Sequence, residues 1–369
     1  MNILENVLMS EHTTFHIGGP ARFFGVVVTI SDLLEGIAFA EEHALPILFL
    51  SGGSNMLVSD SGFSGFVLKL DLKGIEKVLE TGEEVVVKVA SGEVWDEVVT
   101  YAVNQGLWGI ENLSHIPGRM GGVPVQNVGA YGQEAKNVIV SVDAYDLKEK
   151  KLVTLENKDC NFSYRRSIFN TTKRGRYAIL YTRIVLSKLP RPNLDYRDLR
   201  LRFNEGTTPS PSEIRNAVIS IRDKKFPFPV SPETGNSGSW FKNVTLDSVS
   251  LNKLKGRLQT EFGSGISARL EEYEKNLTTE AGTKIPAAFL LDACGLKGLS
   301  MGGAVINPEQ PLVIVNKSGT ARATDVLGIV KKVRTTVLER MGIALEIEPE
   351  LVGFSAEEIR EHVAIPDVV

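Results

Sequence analysis

Two hydrophobic periods alternate along the first fifty residues. The run "FFGVVVTI" (23–30) reads as a strand, and Ser31 is placed to cap an amphipathic helix through "LLEGIAFAEEHA". "PILFL" (46–50) then returns as a strand, which completes a small α/β unit. From about 65 to 190 a period of two dominates, in "GFVLKL", "EEVVVKVA", "NVIVSVDAYDL", "KLVTL" and "YAILYTRIVL". One helix, around "WDEVVTYAVNQ", interrupts them. This pattern predicts a mixed or antiparallel α+β domain rather than a regular βαβ series.

The stretch 187–213, rich in Pro, Ser and charge, reads as an exposed excursion. A helix with Pro211 or Ser212 near its start follows, with "EIRNAVISIRDKKF" as its body. "FPFPVSPETG" breaks structure and marks a domain boundary. The last third predicts a helix at "KIPAAFLLDACG", a strand at "PLVIVN", a long helix opened by Thr324, and a final strand "ALEIEPELVGF".

Composition narrows the function classes. A chain of 369 residues has room for two or three domains, and a net charge of −4 disfavours nucleic acid or an anionic membrane as partner. The apolar runs are strand-sized, far short of a membrane span. The N-terminus lacks a basic segment followed by a long apolar core, so the expected location is cytoplasmic. The two cysteines, Cys160 and Cys294, make neither a disulfide framework nor a zinc cluster and read as buried thiols. The five histidines show no ligand spacing, so no metal is expected.

Two glycine-rich loops carry candidate chemistry. "FLSGGSNMLVSD" runs off the "PILFL" strand, and its Gly52-Gly53-Ser54-Asn55 can wrap backbone amides around an anion. "ENLSHIPGRMGGVPVQNVGAYGQE" holds Gly118, Gly121, Gly122, Gly129 and Gly132, enough flexible backbone to line a dinucleotide pyrophosphate. Tight turns explain either loop alone; the pair favours a phosphate-containing cofactor. "GSGISA" (263–268) matches G-x-G-x-x-G/A but follows a polar, helix-like segment instead of a strand, so it reads as an irregular loop. No P-loop motif is present.

Three polar centres remain. In "FSYRRSIF", alternation turns Arg165 and Ser167 to one side of an extended chain; Arg165 is either a carboxylate-pairing guanidinium or half of a surface basic pair. Glu350, after Pro349 and before "LVGF", is either a desolvated carboxylate or part of a solvated strand face with Glu346 and Glu348. In "GNSGSWFKN", Ser239 ends a glycine turn pinned by Trp240 and Phe241. It has no nucleophile-elbow context and no histidine between 116 and 361, which argues against a nucleophile. A proton donor to a carbanion and a plain turn residue both stay open.

In order along nearly the whole chain, "TTFHIGGPA", "LSGGSNMLVSD", "IPGRMGGVPVQNVGAYGQE", "SYRRSIF", "GNSGSWFKN" and "IEPELV" resemble the UDP-N-acetylenolpyruvoylglucosamine reductase (MurB) family, type I. The resemblance implies an α+β fold: an FAD-binding region of the vanillyl-alcohol-oxidase (PCMH) type in two subdomains, 1–70 (joined by 351–369) and 71–223, and a substrate-binding domain at 224–350. It implies an oxidoreductase, UDP-N-acetylmuramate dehydrogenase, of peptidoglycan synthesis. NADPH would reduce non-covalent FAD, and the UDP-sugar's enolpyruvyl carbon would then receive the hydride. Implied cofactor positions are Gly52, Gly53, Ser54, Asn55, Ser114, Gly118, Gly121, Gly122, Asn127, Gly129, Ala130, Tyr131 and Gly132. Ser239 resembles the proton donor, and Arg165 with Glu350 the pair that stabilises the developing enolate. Tyr196, Lys225, Lys242, Asn243 and Gln310 resemble substrate-binding groups. Trp240 departs from the family, which more often has Phe there. Competing readings are another flavin oxidase of this fold and a non-catalytic nucleotide-sugar or flavin-binding module.

Overall fold

The first helix begins one turn before its apolar stripe. In the computed structural model, which describes residues 1–204, 206–225 and 227–363, the helix runs Ile30–Glu42 and is capped by Thr29, not by the expected Ser31. Thr29 Oγ1 accepts from the Asp32 amide (3.1 Å) while Asp32 accepts from the Thr29 amide (2.8 Å), a reciprocal capping box. Leu33, Gly36, Ile37 and Ala40 form its buried face. The adjoining sheet has the strand order Ile3–Leu8, Pro20–Val27, Phe63–Leu70, Ile47–Leu50; the first pair is antiparallel and the other two are parallel.

"GFVLKL" does not join the period-two domain but lies in the parallel strand Phe63–Leu70 of the first sheet. The other period-two segments form an antiparallel sheet, in the order Lys151–Glu156, Ile139–Asp146, Tyr177–Ser187, Glu84–Ala90, Ile75–Glu80. Val85, Val87 and Val89 point inward against Val98 and Val99 of the helix Trp95–Asn104, all in one buried cluster. Each such valine contributes about 1.5–3 kcal/mol by leaving water. Trp95 Nε1 donates to the Leu113 carbonyl (2.9 Å), tying this helix to the segment that leads into the second glycine loop.

The excursion at 187–213 is exposed only in part. Its short helix Arg197–Arg200 buries Leu199 beside Ile214 and Val218 of the helix Pro211–Lys225, so amphipathic pairing overrides the polar composition. Phe226, the last residue expected in that helix, and residues 364–369 of the expected C-terminal segment lie outside the described residues.

Further along, "GSGISA" is not an irregular loop. Gly263, at φ +77°, separates two helices, Ser248–Phe262 and Ser264–Leu277, and the apolar positions Leu258 and Leu270 carry both onto a common core. The long helix Ala323–Met341 is opened by Asp60, not by Thr324: the two carboxylate oxygens accept from the amides of Ala323 (2.8 Å) and Thr324 (3.1 Å). First-turn amides need acceptors, and an anion at that end suits the helix dipole. The final strand shortens to Glu350–Val352, which pairs in parallel with Met56–Val58.

Contacts group the chain into two units. The first contains Met1–Leu8, Pro20–Gly53 and Phe63–Pro227; the second contains Met9–Gly19, Ser54–Gly62 and the described residues from Phe228 onward. The expected segments 1–70 and 71–223 thus lie largely in one unit. Residues 351–352 do pair with a strand inside 1–70, but that strand, Met56–Val58, belongs to the second unit. Cys160 is buried and Cys294 half-buried; burial pushes their thiols up to about 12 and about 11. No helix among the described residues is long and apolar enough to cross a membrane.

Candidate active site

In the first unit the two glycine loops meet backbone to backbone. A side-chain carbon on Gly52 would lie 2.6 Å from Gly118 Cα and 2.9 Å from the Arg119 nitrogen. Only a glycine fits that crossing. Gly53, Gly118, Asn127, Tyr131 and Gly132 all have positive φ, the backbone freedom that anion-binding concavities of amides draw on. The Ser91 hydroxyl, a hydrogen-bond donor, is buried beside these loops without a partner among the described residues. Backbone amides and a buried hydroxyl donor at one loop system fit a pyrophosphate-containing group.

Not every candidate here presents its side chain outward. Ser114 Oγ donates to the Glu111 carbonyl (2.6 Å). Asn127 is fully buried, donating to Glu134 (3.1 Å) and the Ser163 carbonyl (3.0 Å) and accepting from the Lys136 amide (2.9 Å). These two shape the loop through their side chains. Gly129–Ala130 and Gln133–Glu134 pair as a hairpin with Tyr131 and Gly132 at the turn, and the positive φ at both turn residues gives the twist such hairpins need.

The Arg165 segment is not extended. Ser163 and Arg166 exchange backbone hydrogen bonds (3.0 and 3.1 Å), which leaves Tyr164 and Arg165 at the tip of a tight turn, with Arg165 at φ +56°. The alternation expected for "YRRS" therefore fails. In its place the turn directs Arg165 to the glycine hairpin, where its Nη2 donates to the Gly129 carbonyl (2.8 Å). Burial works to raise the pKa of Glu134, but bonds from Lys136 and Asn127 and the charges of Lys136 and Arg165 hold it below the usual range.

The same hairpin receives the excursion. Tyr196 packs edge-on to Tyr131 with ring centroids 5.2 Å apart, and Asn193 Nδ2 donates to the Gly132 carbonyl (3.1 Å). Asn112 Nδ2 joins the two, donating to the carbonyls of Tyr131 (2.7 Å) and Asn193 (2.9 Å). Lys225, at the end of its helix, pairs with Asp198 (2.6 Å). Burial opposes its charge, yet the Asp198 bond and the neighbouring Tyr196 raise its pKa. Asn112, although at the start of the second glycine-rich stretch, and Asn193 were not legible as partners of this hairpin, because nothing in their spacing sets them apart.

The second unit gathers Asn55, Ser239, Lys242, Asn243, Gln310 and Glu350. Asn236–Ser239 is a strand rather than a free turn, paired with Val313–Asn316. Gly238, at φ +73°, bulges that strand, so three residue steps from Asn236 to Ser239 face two from Val315 to Val313. Ser239 is half-buried, and its hydroxyl has no partner among the described residues. Trp240 and Phe241 are buried, as expected of anchors.

Downstream the chain crosses to a second neighbour. The Trp240 carbonyl accepts from the Glu348 amide (2.9 Å) and the Lys242 amide donates to the Glu346 carbonyl (3.0 Å). Lys242 Nζ also pairs with the Glu346 carboxylate (2.6 Å). Asn55 Nδ2 donates to the Glu348 carbonyl (3.3 Å), and the Asn55 carbonyl accepts from the Glu350 amide (2.9 Å). "GNSGSWFKN", "IEPELV" and the end of the first glycine loop are thus one hydrogen-bonded patch, in which the Glu350 side chain is half-buried. Asn243 Oδ1 accepts from the Ala287 amide (3.0 Å), the first residue of the helix Ala287–Ala293. Gln310 sits in the turn before Val313–Asn316, its carbonyl accepting from the Val313 amide (2.9 Å).

This architecture has known counterparts. Residues 22–155 match an FAD-binding domain, and residues 230–352 match the C-terminal domain of UDP-N-acetylenolpyruvoylglucosamine reductase. A reductase of that name from Neisseria meningitidis is 37% identical over 344 residues, covering 92% of this chain and 95% of its own. Another from Flavobacterium johnsoniae is 34% identical over 355 residues, 95% of this chain and 100% of its own. The crystal structure of the Thermus caldophilus enzyme superposes with a TM-score of 0.62 at 24% identity, covering 95% of this chain and 99% of that one.

Proposed function

This chain belongs to the UDP-N-acetylenolpyruvoylglucosamine reductase (MurB) family, and on that premise we propose that it reduces the enolpyruvyl UDP-sugar to UDP-N-acetylmuramate with NADPH as reductant. It is an FAD-binding oxidoreductase of peptidoglycan synthesis, with a fold of the PCMH type followed by the family's own C-terminal domain. FAD, which the glycine loops at Gly52–Asn55 and Gly118–Gly132 would hold, would supply the hydride chemistry for this reduction.

The chain's residues manage the charge and the proton. Hydride addition leaves negative charge on the adjacent carbon and its carboxylate. Arg165 meets that charge with a guanidinium already steadied by the Gly129 carbonyl, and Glu350 stabilises the enolate by hydrogen bonding or as an acid. Ser239 delivers its hydroxyl proton to the carbanion. Lys242, held by Glu346, and Asn243, held by the Ala287 amide, border the substrate. Tyr196, Lys225 and Gln310 meet its diphosphate end. The observation that carries this reading is the Ser239 hydroxyl: on a half-buried residue, without a partner or a base among the described residues, and fixed on a bulge between two strand pairings. Such a group is a poor nucleophile and a well-placed proton donor.

Anaerobic holoenzyme mixed with NADPH should bleach, and adding the enolpyruvyl UDP-sugar should restore the flavin absorbance. Recolouring that requires oxygen and ignores this substrate would overturn the reading.

We assign the FAD pyrophosphate to the loops at Gly52–Asn55 and Gly118–Gly132. Gly52→Ala must force the Gly118 backbone away, at an overpacking cost of about 1–3 kcal/mol, so FAD should bind about 5- to 150-fold more weakly. Flavin titration of the stripped protein measures this, and an unchanged dissociation constant would remove Gly52 from the cofactor site.

A further inference from the structure

The segment "TTFHIGG" has no role in the chemistry above, yet it lies directly behind the bulge that carries Ser239. We propose that Thr14 and Asn236 are positioning residues for proton transfer from Ser239, an inference that rests on Ser239 being the donor.

Thr14 grips Asn236 at both backbone ends. Its carbonyl accepts from the Asn236 amide (3.0 Å), and its Oγ1 donates to the Asn236 carbonyl (2.8 Å). Gly235 presses so closely on the Phe15 carbonyl that a side-chain carbon there would lie 2.4 Å away. Phe15, fully buried, then packs against Trp240 on the far side of Ser239, with ring centroids 6.1 Å apart. The motif therefore braces the strand before and after the serine.

Asn236 converts that grip into the bulge. Its buried side chain accepts from the Gly238 amide (3.1 Å) and donates to the Thr234 carbonyl (3.0 Å), holding the chain on both sides of itself. The Gly238 amide is thereby fixed where φ is +73° and the register shifts by one residue. Register decides which face of a strand a side chain occupies, because a slip of one residue turns it to the other side. The bond between Asn236 Oδ1 and Gly238 thus holds the shift that sets where the Ser239 hydroxyl points. Thr14 keeps Asn236 in place to make it.

The test is stopped-flow kinetics of the two half-reactions in anaerobic holoenzyme. Misplacing a reacting group by about 1 Å can cost about 10²-fold, and losing one hydrogen bond of several displaces less, so Thr14→Val should slow substrate-driven flavin reoxidation about 10-fold. NADPH-driven reduction should be unchanged, and Thr14→Ser, which keeps the hydroxyl, should restore the parent rate. In a Ser239→Ala background Thr14→Val should have no further effect, since no serine proton remains to misplace. A merely structural Thr14 predicts equal slowing of both half-reactions and the same loss in either background; either result overturns the inference.

Gly238→Ala gives a second route if Thr14→Val does not fold. Nothing lies within 4 Å of the added carbon, so it strains the bulge without displacing neighbours. It should likewise slow reoxidation alone, and an unaltered rate would count against the bulge. Ser239→Ala run in parallel separates the two levels. If it is silent, the donor assignment fails; if it is slow while Thr14→Val is silent, only the positioning role fails.

Discussion

Replacing Ser239 by alanine is expected to slow flavin reoxidation by the enolpyruvyl UDP-sugar about 10²- to 10⁴-fold, the usual cost of a lost general acid. NADPH-driven reduction should be unaffected, because that half-reaction makes no carbanion. The variant should also fold normally. The strand is held by its bonds to Val313–Asn316 and by buried Trp240 and Phe241, and the Ser239 hydroxyl contributes to none of these. A residual rate with water as the proton source fits the assignment. Rapid mixing of the reduced variant with substrate decides it: reoxidation at the parent rate would make Ser239 a bulge residue and nothing more.

Arg165→Lys should be nearly as damaging despite keeping the charge. The guanidinium is planar and can donate to the Gly129 carbonyl while presenting further donors to a carboxylate; an ammonium at that site has neither the reach nor the fork. Loss of one preorganised donor to a developing oxyanion typically costs about 10²–10³ in kcat, and the same is expected here for the substrate half-reaction. Flavin content should stay at the parent level, since the hairpin at Gly129–Glu134 keeps its own pairing. Rates of both half-reactions, with the flavin-to-protein ratio, check this. Equal losses in the two half-reactions would instead mark Arg165 as a structural support of the cofactor loop.

The sequence disclosed what depends on neighbours a few residues away. Val85, Val87 and Val89 announced their strand, and the stripe from Trp95 announced its helix, because local periodicity and final burial agree there. Trp240 and Phe241 were legible as anchors by size alone. Features set by distant partners were not. Asp60 caps a helix from far upstream, so nothing local pointed to it and the helix read as opened by Thr324. The Ser239 segment read as a turn because its pairing strand, Val313–Asn316, lies beyond any local window. At Arg165 the failure was different: "YRRS" contains no glycine or asparagine to signal a left-handed residue, and alternation was the natural reading. The family was more legible than the local geometry of its motifs, since motif order survives where backbone conformation is not encoded locally.

The parallel pairing of Met56–Val58 with Glu350–Val352 has a consequence for how the protein is made. All residues of the first unit have left the ribosome once Pro227 emerges, so that unit can fold while synthesis continues. Met9–Gly19 and Ser54–Gly62 do not belong to it; their partners beyond Pro227 have not yet emerged. Phe15, Ile17 and Leu57, all destined for the second core, stay on the nascent chain with no core to enter. Closing such long loops is slow, and the exposed apolar segments attract other chains meanwhile. Chaperone capture during translation should therefore concentrate on these two early segments, and a chain terminated just after Pro227, which lacks the rest of the second core, should keep that liability permanently.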